Sequence, residues 1–296
     1  MRIAIIGAGF TGLSAAYQLV KKNHEVVIFE KDKNPGGLAL GFKIKEWDWS
    51  LEQHYHHWFT NDYNALNLAK ELYFPYYKKS PKTSIYYHGK SYQLDSAIKL
   101  FSLPFLSFTN RLRMAGVLAL LRYNPFWKPY EKIEASRFLS RYMGQKAYSL
   151  IWEPQLQSKF GKYSHLISLA WFWARISKRT SDFAYPEKGF LAFAEKLTKI
   201  IEQQGGKIFY NTNIHKIVKE KNRGYKIITK RNIKEEGVFD AIIVTVPSHT
   251  FLNLVNDVPI LYREKINKLK FLWGNQLNLT TQKTFFKRQY ILAKYL

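Results

Sequence analysis

No cysteine occurs among the 296 residues. That excludes a disulfide framework, a cysteine-ligated zinc or iron–sulfur site, a thiolate nucleophile and a cysteinyl cofactor tether, and it fits a reducing, cytoplasmic setting. Acidic residues are scarce. Asp and Glu number 22 against 46 Lys and Arg, a formal charge of +24, which calls for an acidic partner or an anionic ligand without choosing between them. Long apolar runs are missing too: the most apolar window, 100–121, is broken by Pro104, Asn110, Arg111 and Arg113, too short a charge-free stretch to cross a bilayer. The opening residues lack the charged, apolar and small-residue succession of a secretory signal, so the mature chain is expected to start at Met1. Apolar residues at 46 % and charged ones at 23 % exclude disorder for the bulk and suit one large domain or two interleaved ones.

Residues 2–6 read as a short apolar strand that runs into Gly7-Ala8-Gly9-Phe10-Thr11-Gly12, the spacing G-x-G-x-x-G. The following helix places Leu13, Ala16, Tyr17 and Val20 on one face, and a second strand, 26–29, closes the unit on Glu30. Each glycine has its own task. Gly7 permits the tight turn, Gly9 lets a pyrophosphate approach bare backbone, and Gly12 lets the helix lie close on the strand. The helix start then offers unpaired N–H groups and a positive dipole end to the phosphates. Glu30, eighteen residues after Gly12, stands where a carboxylate accepts hydrogen bonds from both ribose hydroxyls of an adenosine. Strand, helix, strand and acid at these spacings predict an α/β fold with a Rossmann-like, FAD/NAD(P)-type dinucleotide-binding domain.

Just beyond Glu30 the chain reads Lys31-Asp32-Lys33-Asn34-Pro35-Gly36-Gly37-Leu38. With this second glycine pair the sequence resembles the FAD-dependent family of flavin amine oxidases, protoporphyrinogen oxidases and phytoene desaturases. The resemblance implies FAD, with Lys31, Gly36 and Gly37 beside it; two adjacent glycines supply bare backbone along an extended cofactor. The arginines that often flank the pair are absent here, Lys33 and Leu38 standing near their positions. The stretch 205–217 is similar to a later strand pair of the family, in which the residue matching Ile214 holds the adenine through its backbone. Asp240 to Pro247, with Thr245, looks like the closing strand beneath the adenosine half. A strand at 225–230 and a polar turn at 231–237 complete a meander. Residues 185–190 resemble a Pro-x-Gly-Gly stretch with Lys188 in place of one glycine.

The expected cofactor domain is therefore discontinuous, 1–49 with 185–249, and an inserted, mainly helical substrate domain takes 50–184 and 250–296. Helices are expected near 65–72, 109–122, 136–146 and 166–176, interrupted by Pro75, Pro81, Pro104, Pro125, Pro129 and Pro154. A hairpin at 82–92 turns at His88-Gly89. Between Lys99 and Lys146 nine Lys or Arg face two Glu, interleaved with Phe101, Phe105, Phe108, Trp127 and Tyr130. Such a surface suits a solvated helical face or peripheral contact with anionic lipid at the inner face of the membrane. No nucleic-acid-binding motif accompanies it.

Three histidines fall within Gln53-His54-Tyr55-His56-His57-Trp58-Phe59-Thr60-Asn61. No metal is expected: neither cysteine nor H-E-x-x-H accompanies them, and alternating side chains do not converge. The run is similar to a His-x-Phe-His-Thr-Asn segment of UDP-galactopyranose mutase, which implies that His56, with His57 beside it, lies near the flavin ring, where an imidazole donates a hydrogen bond or shuttles a proton. Packing where insert meets cofactor domain explains the same rings.

The family's closing Gly-Asp motif is absent, since no Gly-Asp pair occurs in the sequence, and residues 278–296 look like the start of a further strand that does not return. A truncated product is the expectation. The resemblance implies an FAD-dependent oxidoreductase that passes a hydride from a substrate C–H to flavin N5, on a small substrate that is apolar or a nucleotide sugar. A mutase in which reduced flavin acts as a nucleophile, and an inactive FAD-binding remnant, stay open beside it.

Overall fold

A computed structural model describes residues 1–220, 224–229 and 237–271. The polar turn expected at 231–237 and the strand expected after 278 lie largely or wholly outside these residues. The chain packs as two compact units. One holds 1–58, 62–77 and, among the described residues, those from 184 onward; the other holds 59–61 and 78–183.

The first unit is built on a four-stranded parallel sheet. Its order is Lys207–Phe209, β2 (Glu25–Phe29), β1 (Arg2–Ile6), Ala241–Val244. Strands covered on both faces need apolar residues in succession, and residues 3–6 and 26–29 are all buried. Alternation assigns the faces. Ile5, Val26 and Ile28 turn to helix α1 (Phe10–Val20) and to helix Gly189–Gln203, meeting Leu13, Ala16, Phe193 and Leu197. Ala4, Ile6, Val27 and Phe29 turn to the other side, against Ile214, Ile217 and Phe239 of an antiparallel meander formed by Ile214–Glu220, Gly224–Thr229 and Val238–Phe239. Helices, parallel sheet and meander thus make three layers around β1.

Residues 250–271, assigned from the sequence to the inserted domain, pack with this first unit instead. Leu254, at the end of helix Ser248–Leu254, is buried among Ile214 and Ile217. Arg263 then donates to the Leu252 and Val255 carbonyls at 3.3 and 3.1 Å, closing that helix. Residues 50–58 and 62–77 also join the first unit, with Trp58, Leu66 and Ala69 in the core below α1.

The second unit is mainly helical. Its hairpin, Ser84–Tyr87 with Lys90–Gln93, turns through His88 and Gly89, both at positive φ. Helices Ala97–Phe101, Phe108–Tyr123 and Leu169–Ser177 open on Ser96, Ser107 and Ser168, whose hydroxyls accept main-chain N–H groups of the first turn. Leu103, Leu121, Leu139, Met143 and Phe172 fill the core. Pro154 does not break a helix. It occupies the first turn of Glu153–Phe160, where its missing N–H costs least, and the turn before it, Tyr148–Trp152, is a π-helix. Three arginines of helix Phe108–Tyr123 close other segments: Arg111 donates to the Phe101 carbonyl at 2.7 Å, Arg113 to that of Tyr142 at 3.0 Å and Arg122 to that of Ile176 at 2.8 Å. Among the described residues no helix is long and apolar enough to cross a membrane.

Candidate cofactor site

The first loop begins where β1 ends. Gly7 has φ +106°, and a Cβ there would press on the Thr245 hydroxyl at 2.8 Å; its N–H donates to the Phe29 carbonyl at 2.8 Å. On Gly12 a Cβ would overlap the Gly7 carbonyl. Both glycines are therefore required by the protein's own packing. Gly9 is different: it has φ −70° and ψ 169°, open to any residue, and a Cβ on it would lie an ordinary 3.7 Å from Gly37 Cα. Nothing in the fold forbids a side chain at the point where the helix N-terminus opens.

The second glycine pair lies directly against the first loop. Gly36 N–H donates to the Ala8 carbonyl at 2.9 Å, Gly9 and Gly36 form a parallel bridge, and a Cβ on Gly37 would come within 3.0 Å of Gly9 Cα. Gly36 and Gly37, at φ +122° and +59°, hold backbones in which other residues are strained. Sequence reasoning placed this pair beside a ligand; it also lets two loops touch.

Glu30 is 5 % exposed. One carboxylate oxygen accepts the Ala8 N–H at 2.6 Å and the other accepts the Asp32 N–H at 2.9 Å. The side chain thus ties the end of β2 to the first loop, and each oxygen keeps a lone pair for a further donor. Its own main chain is held from the neighbouring strand, Glu30 N–H donating to the Phe209 carbonyl at 2.9 Å and the Thr212 N–H donating to the Glu30 carbonyl at 2.7 Å. Lys31, by contrast, points into solvent beside Asp32, 4.0 Å away. Thr245 anchors the base of the loop, its hydroxyl donating to the Ile6 carbonyl at 2.9 Å. Pro247 precedes helix Ser248–Leu254. Ile214 is buried at the start of its strand, paired with Thr229 at a bulge.

His56 reaches toward this loop through rings. Its imidazole lies 6.0 Å from Phe190, which lies 6.0 Å from Phe10 at the start of α1. Nδ1 is 2.6 Å from the His54 carbonyl; a carbonyl only accepts, so Nδ1 carries the hydrogen and Nε2 remains to accept or exchange a proton. His57 packs on Tyr55 at 5.0 Å. Among the described residues no three His, Asp or Glu side chains are grouped to hold a metal ion.

One participant escaped sequence reasoning. Glu52 is 4 % exposed and accepts hydrogen bonds from the Phe190 N–H at 3.1 Å and from the Tyr185 hydroxyl. The Tyr185 phenol is pushed far above its ordinary value, by burial first and by Glu52 second. Between them, Lys188 sits at φ +62°, and its carbonyl accepts the Ser50 hydroxyl at 3.0 Å. This is the position where the family pattern carries glycine.

A parallel sheet bearing two apposed glycine loops and a buried acid at the end of the second strand defines a Rossmann-like, dinucleotide-binding class of protein. The flavin containing amine oxidoreductase family model matches residues 10–292, and the chain belongs to that family. Coproporphyrinogen III oxidase of Staphylococcus aureus is 24 % identical over 303 residues, 87 % of this chain and 63 % of its own length. Among solved structures, an oxidoreductase from Methanosarcina mazei superposes with a TM-score of 0.69 at 20 % identity, covering 91 % of this chain and 66 % of that one. Reduced UDP-galactopyranose mutase gives 0.67 at 17 %, covering 90 % and 59 %. The chain thus spans about 63–66 % of the length of the first relatives it matches. The family's cofactor is FAD, and the unneeded glycine at Gly9, next to the Ala8 amide that Glu30 holds, fits a diphosphate and a ribose.

Proposed function

We propose that this chain is the FAD-holding part of a flavin-dependent oxidoreductase acting on a small molecule. The observation that carries the reading is Gly9: its backbone angles and surroundings admit a side chain, so bare backbone there serves something other than the fold. When bound, FAD supplies an acceptor for hydride from a substrate C–H. The chain's own residues do the rest. The amides at the start of α1 face the diphosphate, Glu30 accepts ribose hydroxyls while keeping the loop in register, and the second glycine pair leaves room for the extended cofactor. His56, with Nδ1 committed to a carbonyl, offers Nε2 for a proton. Ile214, Thr245 and Pro247 complete the proposed surround, Thr245 by positioning the loop, and Lys31 serves only as an exposed charge at its edge.

The substrate is proposed to be apolar or a nucleotide sugar, handled in the cytoplasm, with peripheral contact to anionic membrane through the aromatic and basic surface of the second unit. Phe108, Tyr123 and Phe126 there are 67, 83 and 76 % exposed, the kind of rings that enter a lipid interface. Purification and spectroscopy test the function. A yellow protein whose flavin absorbance bleaches anaerobically with a reduced substrate supports oxidation. Turnover of a nucleotide sugar only after dithionite reduction supports the isomerase reading instead, and a colourless protein that cannot be loaded with FAD overturns both.

A further inference from the structure

Helices Glu153–Phe160 and Leu169–Ser177 of the second unit bring Gln155, Lys159, Trp171 and Arg175 together. The half-buried Arg175 guanidinium donates to the Gln155 amide oxygen at 3.1 Å and lies 5.9 Å from the Trp171 ring centre. The Lys159 ammonium lies 5.5 Å from the same ring. Gln155 is fixed by its other end, since its amide nitrogen donates to the Ile151 carbonyl at 3.0 Å within the π-turn. Burial, and Arg179 after it, lower the Arg175 guanidinium to about 10. Loss of water contact lowers the Lys159 ammonium in turn, followed by Arg175 and Arg179. A half-buried guanidinium with a second cation beside the same ring is costly unless an anion joins them.

A second observation points the same way. One helical turn before Gln155, Trp152 is 9 % exposed and packs edge-on against Phe172 at 4.9 Å. Its indole N–H is buried with no hydrogen-bond partner. A buried donor left unmade is expensive, and here it ends the turn that leads into the Lys159 helix and packs on Phe172 of the Arg175 helix.

We propose that Arg175, Lys159 and the Gln155–Trp152 turn form a binding site for an oxyanion, a carboxylate or phosphate group, separate from the flavin site and built wholly within the second unit. The oxyanion supplies the acceptors that these donors lack. A planar guanidinium offers paired N–H groups to such a group, and the ammonium adds charge at its side. The source is either a free small molecule or an anionic lipid headgroup, and the proposal holds whether or not FAD is bound.

The test uses the full chain as purified, titrated at constant ionic strength with inorganic phosphate and with tricarballylate, chloride serving as reference. Binding is read by calorimetry and by the indole N–H signals of Trp152 and Trp171. We expect saturable oxyanion binding that shifts both indole signals. Arg175→Gln should weaken it about tenfold or more, and Arg175→Lys should weaken it less. Lys159 lies on the exposed side of its helix, so Lys159→Gln keeps the melting temperature while weakening binding severalfold. Competition by phosphatidylglycerol vesicles, but not by phosphatidylcholine vesicles, assigns the headgroup as source; its absence assigns a free ligand. No saturable binding beyond chloride, or equal binding by wild type and a folded Lys159→Gln protein, overturns the site.

Discussion

A side chain at Gly9 separates folding from binding. Gly9→Ala removes a good N-cap residue but also restricts the unfolded chain, and the two effects offset to within about 1 kcal/mol. FAD affinity should nevertheless fall about a hundredfold, roughly 2.7 kcal/mol, because the methyl group occupies the diphosphate path. Titration of apoprotein with FAD, alongside a thermal melt, checks both halves; a variant that binds FAD like wild type refutes the placement. Gly12→Ala is the contrast, since its Cβ overlaps the Gly7 carbonyl and should cost about 1–3 kcal/mol of stability. Lys188 offers the opposite case. A lysine at φ +62° sits where glycine is at ease, and Lys188→Gly should stabilise the fold by about 1 kcal/mol in denaturant unfolding.

Among elements, the junction of strand Leu51–Glu52 with helix Gly189–Gln203 rests on one carboxylate. Glu52→Gln replaces one acceptor oxygen by a donor facing a donor and should cost about 1–3 kcal/mol. The Tyr185 phenol bound to it gives a pH signature. Its folded value is raised, so the stability it supports is complete below about pH 10, the ordinary tyrosine value, and is lost as pH rises toward the folded-state value. Unfolding midpoints should drop above that pH, and drop less in Tyr185→Phe. This junction was invisible in the sequence because its partners are 133 and 138 residues apart. The opening βαβ unit was legible because its cues are local: two short apolar runs, three glycines and one acid within thirty residues. The hairpin at 84–93 was equally legible from its His-Gly turn. Pro154 misled, because a proline that ends one helix and a proline that starts the next look alike in sequence. Residues 250–271 misled for a different reason: the destination of Leu254 depends on a core made by strands far upstream.

Across the whole molecule, charge is uneven. Residues 78–183 carry 18 Lys or Arg against 5 Asp or Glu, and Arg111, Arg113 and Arg122 use their guanidiniums to close backbone carbonyls while keeping their charge. If the exposed rings dock on lipid, cosedimentation with anionic vesicles should exceed that with neutral ones and should weaken as salt rises, the Debye length being about 10 Å at 0.1 M. Phe126→Ser together with Tyr123→Ser should reduce it severalfold without changing FAD content; equal sedimentation with neutral vesicles counts against the contact.

The register of the parallel sheet sets a schedule for biosynthesis. Ile3 pairs with Ala241, so β1 lacks one flank until translation has passed almost the whole described chain. At about 5–20 residues per second, that leaves the strand half-covered for roughly 10–50 s after it leaves the ribosome. A nascent chain in this state presents an unpaired strand edge throughout synthesis, a template for wrong pairing that only the arrival of Ala241–Val244 closes.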